Sequence, residues 1–81
     1  MKTFHLTIAS IGTHLFDGEA VSATLPGKAG EFTVLANHEP FVSELKQGVA
    51  RVKTAAGNTE QIPVREAGIA EISNNQATVL L

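Results

Sequence analysis

The sequence contains no cysteine, no tryptophan and no tyrosine. Without cysteine there is neither a disulfide framework nor a thiolate metal site, which favours an intracellular domain over a secreted, disulfide-stapled one. Aromatic side chains amount to four phenylalanines, so the core must be built from Val, Ile, Leu and Ala. Positive charge is thin: six Lys and Arg stand against eight Asp and Glu, a formal net charge of −2. Lys2, Lys28, Lys46, Arg51, Lys53 and Arg65 are spread along the chain. They form no basic stripe of the kind that neutralises phosphates, so nucleic acid is not an expected partner. No apolar run approaches the roughly 20 residues of a membrane-spanning helix. Low-complexity stretches, linkers and internal repeats are absent too. The 81 residues are expected to form one domain, 1–81, that buries about 60–65% of the surface exposed by its unfolded chain.

What is present is a period of two. Phe4, Leu6 and Ile8 alternate with His5 and Thr7, which makes the opening MKTFHLTIASIG a strand and not the continuous apolar core of a signal peptide. Val21, Ala23 and Leu25 alternate with Ser22 and Thr24, Phe32 and Val34 flank Thr33, Ile62 and Val64 flank Pro63, and Ala77, Val79 and Leu81 alternate with Thr78 and Leu80. Turn signals recur every 8–12 residues or so, at Gly12, Asp17-Gly18, Pro26-Gly27, Asn37, Gly48, Gly57-Asn58, Gly68 and Asn74-Asn75. Short strands at that spacing predict an all-β sandwich or barrel. Gly57-Asn58 and Asn74-Asn75 are expected hairpin turns, because Gly and Asn accept the positive φ that tight turns demand. Pro63 lacks an N–H, so its strand is expected at a sheet edge or at a bulge. Residues 41–47 are the best helix candidate, yet span only about two turns, and read as a short strand or irregular segment.

The stretch PGKAGEFTVLANHEP, Pro26 to Pro40, concentrates the residues that could carry chemistry. Its Gly27-Lys28 lacks the Ser or Thr of a phosphate-binding loop and leads into a strand, so no helix N-terminus receives an anion. His38-Glu39 lacks the second histidine and the helix of a zinc protease motif. His5, His14 and His38 are not paired at ligand spacing, and no serine sits in a nucleophile elbow. The eight carboxylates read as solvated strand-face groups. No catalytic residue, cofactor site or metal site is therefore expected. Lys28 and Lys46 admit an alternative, a lipoyl- or biotinyl-type carrier domain with its lysine on a hairpin tip, but neither has the acidic or methionine neighbours such sites usually show. A stiff, partly apolar loop on a β scaffold instead suits protein docking.

Several short runs, in order, resemble the epsilon subunit of F-type ATP synthases. They are Leu15-Phe16-Asp17-Gly18-Glu19, Leu25-Pro26-Gly27, Gly30-Glu31-Phe32, Val34-Leu35, His38-Glu39-Pro40, Leu45-Lys46-Gln47-Gly48, Gly68-Ile69-Ala70-Glu71-Ile72 and Ala77-Thr78-Val79-Leu80-Leu81. The resemblance covers essentially the whole chain. It implies a sandwich of two five-stranded sheets, about ten strands in all, without the carboxy-terminal helical hairpin that usually follows. Neither ATP binding nor self-inhibition is expected of the segment in hand.

The resemblance also implies a non-catalytic role in the central stalk. Such a domain clamps the gamma subunit and rests on the c-ring, so that proton translocation is coupled to ATP synthesis on the alpha/beta hexamer. It is peripheral to the membrane, on the cytoplasmic face of a bacterial plasma membrane. By position, Glu31 would face the c-ring, while His38, Pro40 and Ser43 would face gamma. A clamp also needs an apolar patch for gamma, expected to include Phe41 and Val42 near His38. Two positions depart from the family pattern, Thr33 and Asn37, where glycine is usual. Asn tolerates positive φ and Thr does not, so the segment at Thr33 is expected to run differently.

Overall fold

The structure is a computed structural model describing residues 2–81. The described residues form eight strands and no helix: β1 (Phe4–Ser10), β2 (Thr13–Gly27), β3 (Gly30–Leu35), β4 (Phe41–Leu45), β5 (Gly48–Thr54), β6 (Thr59–Val64), β7 (Gly68–Ser73) and β8 (Gln76–Leu80). Hydrogen bonding links them into one sheet folded into two layers. One runs β2–β1–β8–β7–β4, the other β3–β2–β5–β6, and β4 also meets the end of β2 at Gly27–Leu45. All pairings are antiparallel except β1 with β8, which run parallel.

The eight strands are fewer than the ten or so expected, and β2 is the reason. It is 15 residues long and serves both layers. Asp17-Gly18, read above as a turn, lies in its middle: Asp17 faces Thr7 and Gly18 faces Leu6 on β1. Gly18 does not bend the chain, and a β-carbon there would meet only the Phe16 ring, at an ordinary contact distance of 3.9 Å. Further along β2 the register to β5 slips between Ala20 and Ser22. Val21 is the extra residue of a β-bulge, and an extra residue reverses which side chains face inward. Phe16, Gly18 and Ala20 face Ile8, Leu6 and Phe4 before the bulge, while Ala23 and Leu25 face Val34 and Phe32 after it.

The core between the layers follows the alternation in the sequence. Phe4, Leu6 and Ile8 of β1, Leu25 of β2, Val34 of β3, Leu45 of β4, Val52 of β5, Val64 of β6 and Val79 of β8 are fully buried. Burying a side chain of this size contributes about 1.5–3 kcal/mol. The turns agree with expectation. Asn74 and Asn75 take φ of 52° and 58° in the two-residue β7–β8 turn, and Gly57 takes 92° in the β5–β6 turn. Pro63 lies on β6, an edge strand. Residues 41–45 are strand β4. Asn37 has φ of 61°, as a glycine substitute should. The expected distortion at Thr33 is not found: Thr33 continues β3 opposite Thr24, and their hydroxyl oxygens are 3.0 Å apart.

Gly27, at the end of β2, is fixed by close approach. A β-carbon there would stand 2.5 Å from the Gly30 carbonyl oxygen and 2.9 Å from the Phe32 ring. Gly27→Ala is therefore expected to destabilise the fold by about 1–3 kcal/mol, the usual cost of overpacking. Urea unfolding of the two proteins checks this.

Candidate functional site

Strand β3 stands between two chemically different ends of the sandwich. Phe32 and Val34 turn inward, so Glu31, Thr33 and Leu35 turn outward. Glu31 lies next to the β2–β3 turn, one residue after Gly30. Its carboxylate accepts a hydrogen bond from the Arg51 guanidinium at 3.2 Å, and both side chains are about half exposed. That turn also carries Lys28, whose ammonium is 3.7 Å from Glu44. Ion pairs this exposed contribute little to stability, about 0–1 kcal/mol, which leaves their charges available to a partner.

The other end of β3 runs into residues 36–40, which cross from the second layer to β4 in the first. The His38 N–H bonds the Leu35 carbonyl at 3.2 Å, closing a tight turn around Asn37. The His38 ring is half-buried, and its Nδ1–H donates to the Glu39 carbonyl at 2.6 Å. Pro40 is exposed just before β4. Phe41 then packs edge-on against Phe32 with ring centroids 5.2 Å apart, and tilts against the His38 ring at 6.0 Å. Phe41 nevertheless keeps 42% of its surface exposed, and Leu35 keeps 55%. Leu35 was not singled out from the sequence, although the inward alternation of Phe32 and Val34 leaves it facing out.

His38, Pro40 and Phe41 are thus brought together, and Glu31 stands apart from them at the far end of β3. Val42 and Ser43 do not extend this patch. Successive strand residues point to opposite faces, so Val42 leaves the side of Phe41 and joins the outer face of its layer. There it stands opposite Glu71, with exposed Ile69 and Leu80 nearby on β7 and β8. Ser43 turns inward opposite buried Ala70 and spends its hydroxyl on the Glu44 carbonyl at 2.9 Å.

A polar cluster that sequence reasoning left as solvated carboxylates lies on the face formed by β1 and β2. The His5 ring contacts Asp17 through Nε2 at 2.7 Å and Glu19 through Nδ1 at 3.1 Å. Glu19 also accepts the Thr3 hydroxyl at 2.8 Å. The hydrogen bonds to Glu19 and then Asp17 raise the His5 pKa above its ordinary 6.5. Those from Thr3 and then His5 lower the Glu19 pKa below its ordinary 4.5. The register of β1 on β2, with His5 opposite Glu19, is what assembles the cluster. No three His, Asp or Glu side chains converge on a metal-sized position among the described residues.

The fold and the site together define a small β-sandwich domain whose special residues shape its surface. The chain belongs to the family described as the ATP synthase, Delta/Epsilon chain, beta-sandwich domain, whose model matches residues 3–81. ATP synthase epsilon chains from Bradyrhizobium sp. (strain ORS 278) and Rhodopseudomonas palustris (strain BisA53) are 41% and 42% identical to it over 80 residues. That overlap is 99% of this chain and 58% of each relative, so the chain spans little more than half their length. The fold is shared with a chain of the Euglena gracilis mitochondrial ATP synthase OSCP/F1/c-ring structure, at a TM-score of 0.88 and 22% identity over 96% of this chain and 49% of that one. It is shared also with a chain of the Tetrahymena thermophila mitochondrial ATP synthase central stalk/c-ring structure, at a TM-score of 0.77 and 10% identity over 98% and 63% respectively. Family membership over this span sets aside the carrier-domain alternative.

The His5 cluster has a defined pH signature. Because the folded-state pKa of His5 is raised, its contribution to stability is complete below about pH 6.5 and is lost as pH rises through the raised value. Glu19, with a lowered folded-state pKa, contributes above about pH 4.5 and loses that contribution as pH falls through its own lowered value. His5→Gln is expected to abolish the alkaline limb of this profile. Thermal midpoints of both proteins from about pH 5 to 9 test it; a wild-type advantage that stays constant across that range would contradict the assignment.

Proposed function

We propose that this chain is the docking domain of an epsilon-type central-stalk subunit. It binds the gamma subunit through one end and the c-ring through the other, and performs no chemistry itself. Proton translocation through the membrane sector is thereby coupled to ATP synthesis on the alpha/beta hexamer. The domain is peripheral to the membrane, on the cytoplasmic face of the bacterial plasma membrane. The observation that carries this reading is the family match over residues 3–81.

The geometry supplies surfaces suited to the two contacts. The gamma-facing surface consists of the His38 and Phe41 rings with Pro40, and its exposed aromatic is backed by Phe32, so it is held in place before docking. An aromatic anchor with few free rotamers loses little entropy on binding. The c-ring-facing surface is the end bearing Glu31, where charge and hydrogen bonding dominate. Val42, on the outer face of its layer, and Ser43, turned inward with its hydroxyl on the Glu44 carbonyl, contribute less to gamma than His38 and Phe41 do.

The double variant His38→Asp/Phe41→Asp places charge in the apolar patch and should weaken gamma binding by about tenfold or more, since an unpaired carboxylate buried in an interface costs several kcal/mol. Part of the Phe41 ring is already packed, so a stability loss of about 1–2 kcal/mol is expected alongside, and binding is measured where both proteins remain folded. Wild-type co-purification of the folded variant with gamma would refute the mapping. Glu31→Gln removes a charge that contributes little to folding. It should lower proton-pumping efficiency in reconstituted vesicles while leaving the unfolding midpoint within a few degrees of wild type; unchanged pumping would remove Glu31 from the coupling surface.

A further inference from the structure

Residues 36–40 carry the gamma-facing histidine, yet they belong to no strand. Their local bonds, His38 N–H to Leu35 and the His38 ring to Glu39, hold the loop to itself. Among the described residues, one hydrogen bond ties it to a distant part of the chain: the Asn37 N–H donates to Asn75 Oδ1 at 2.7 Å. Asn75 is the second residue of the β7–β8 turn, 38 positions away in sequence. Its amide has a second arm. Nδ2 donates to the Thr3 carbonyl at 2.9 Å, and the Thr3 hydroxyl in turn donates to Glu19 at 2.8 Å. The Asn75 carbonyl accepts the His5 N–H at 3.2 Å, which holds the turn against the start of β1.

The Asn75 side chain is therefore bonded on both sides, by its oxygen to the loop and by its nitrogen to the amino-terminal segment. Its φ of 58° already explains an asparagine in the turn, but glycine would serve that purpose as well or better. A φ requirement alone does not call for a carboxamide. The Asn37 N–H belongs to a residue that itself has φ of 61°. The backbone conformation that starts the loop is thus fixed at the same atom the carboxamide holds. The ring contacts of Phe41 with Phe32 and His38 brace the far end of the segment, while this bond holds its near end.

We infer that Asn75 is a positioning residue for gamma docking: its carboxamide clamps the Asn37–His38 loop to the amino-terminal segment and so sets the geometry of the His38–Phe41 patch before the partner arrives. This rests on the proposed gamma contact. A loop already held in its bound conformation binds more tightly because less ordering remains to be done. Asn75 need touch no partner atom to have this effect.

Asn75→Gly keeps the left-handed backbone and removes both arms of the clamp. Asn75→Asp keeps an oxygen that can accept the Asn37 N–H and loses the donor to Thr3. Three readouts are taken on each protein: amide hydrogen exchange at Asn37, the thermal midpoint, and the Kd for purified gamma subunit. In Asn75→Gly the Asn37 amide should exchange about tenfold faster and Kd should rise about three- to tenfold, the scale of one lost hydrogen bond, with the midpoint shifted by only a few degrees. Asn75→Asp should restore much of the Asn37 protection and fall between the two in Kd. If wild-type protein binds gamma and Asn75→Gly binds it equally, the positioning role is overturned and the docking surface stands. A drop in gamma binding that merely follows the midpoint, without faster exchange at Asn37, overturns it too. If wild-type protein fails to bind gamma, the proposed function itself falls, and the docking role of Asn75 with it.

Discussion

The structure depends on one residue that does not fit the ladder. Val21 is the extra residue in β2, at the point where the register to β5 slips. Strand side chains alternate strictly, so a strand that passes from one layer to the other without a correction would present its polar face to the core. The bulge supplies the correction. It lets Ala20 face Phe4 in one layer and Ala23 face Val34 and Val52 in the other. A single strand can then link both layers of a small sandwich, where two strands and a loop would otherwise be needed.

The proposed docking surface follows from that arrangement. Strand β3 hangs on the half of β2 beyond the bulge, while β4 pairs along its length with β7 in the other layer and meets β2 at Gly27–Leu45. Residues 36–40 must therefore cross between layers. A crossing segment cannot join either ladder, and its backbone groups need partners from elsewhere. Asn75 provides one, and the Phe32–Phe41 edge contact braces the segment on the side where the layers meet. The features that make the loop an exposed surface and those that make it stiff come from the same topological step.

This explains which parts of the molecule were legible in the sequence. Phe4, Leu6 and Ile8, or Ala77 and Val79, declare their faces because alternation over a regular strand is a local signal. Asn74-Asn75 and Gly57-Asn58 declare turns because positive φ is a local demand. Asp17-Gly18 misled because the same dipeptide serves a turn or a strand interior, and only the pairing with Thr7 and Leu6 on β1 decides which. The resemblance to epsilon subunits pointed to the family and to His38, and the Phe41-Val42 pair reads from the sequence as one patch beside it. That reading did not separate Phe41 from Val42, since the face each takes depends on where β4 begins. The His5–Glu19 and Asn37–Asn75 contacts join residues 14 and 38 positions apart. Neither spacing has a motif, and each exists only once the strand register is set.

The exposed apolar side chains bear on how such a domain is stabilised. Phe41 and Leu35 keep 42% and 55% of their surfaces in water, so they contribute only part of what a core residue would. In a domain this small the margin is narrow, because little surface is buried in proportion to the chain that must be ordered. Covering those side chains on docking would return roughly 25 cal/mol for each Å² of apolar surface removed from water, and a partner that binds only the folded form stabilises that form by mass action. Under the proposed function, the free domain is held by its core and by the bulged β2. The assembled one is held in addition by its partners. Docking would then add stability to a surface that the Asn75 and Phe32 contacts already hold stiff in the free domain.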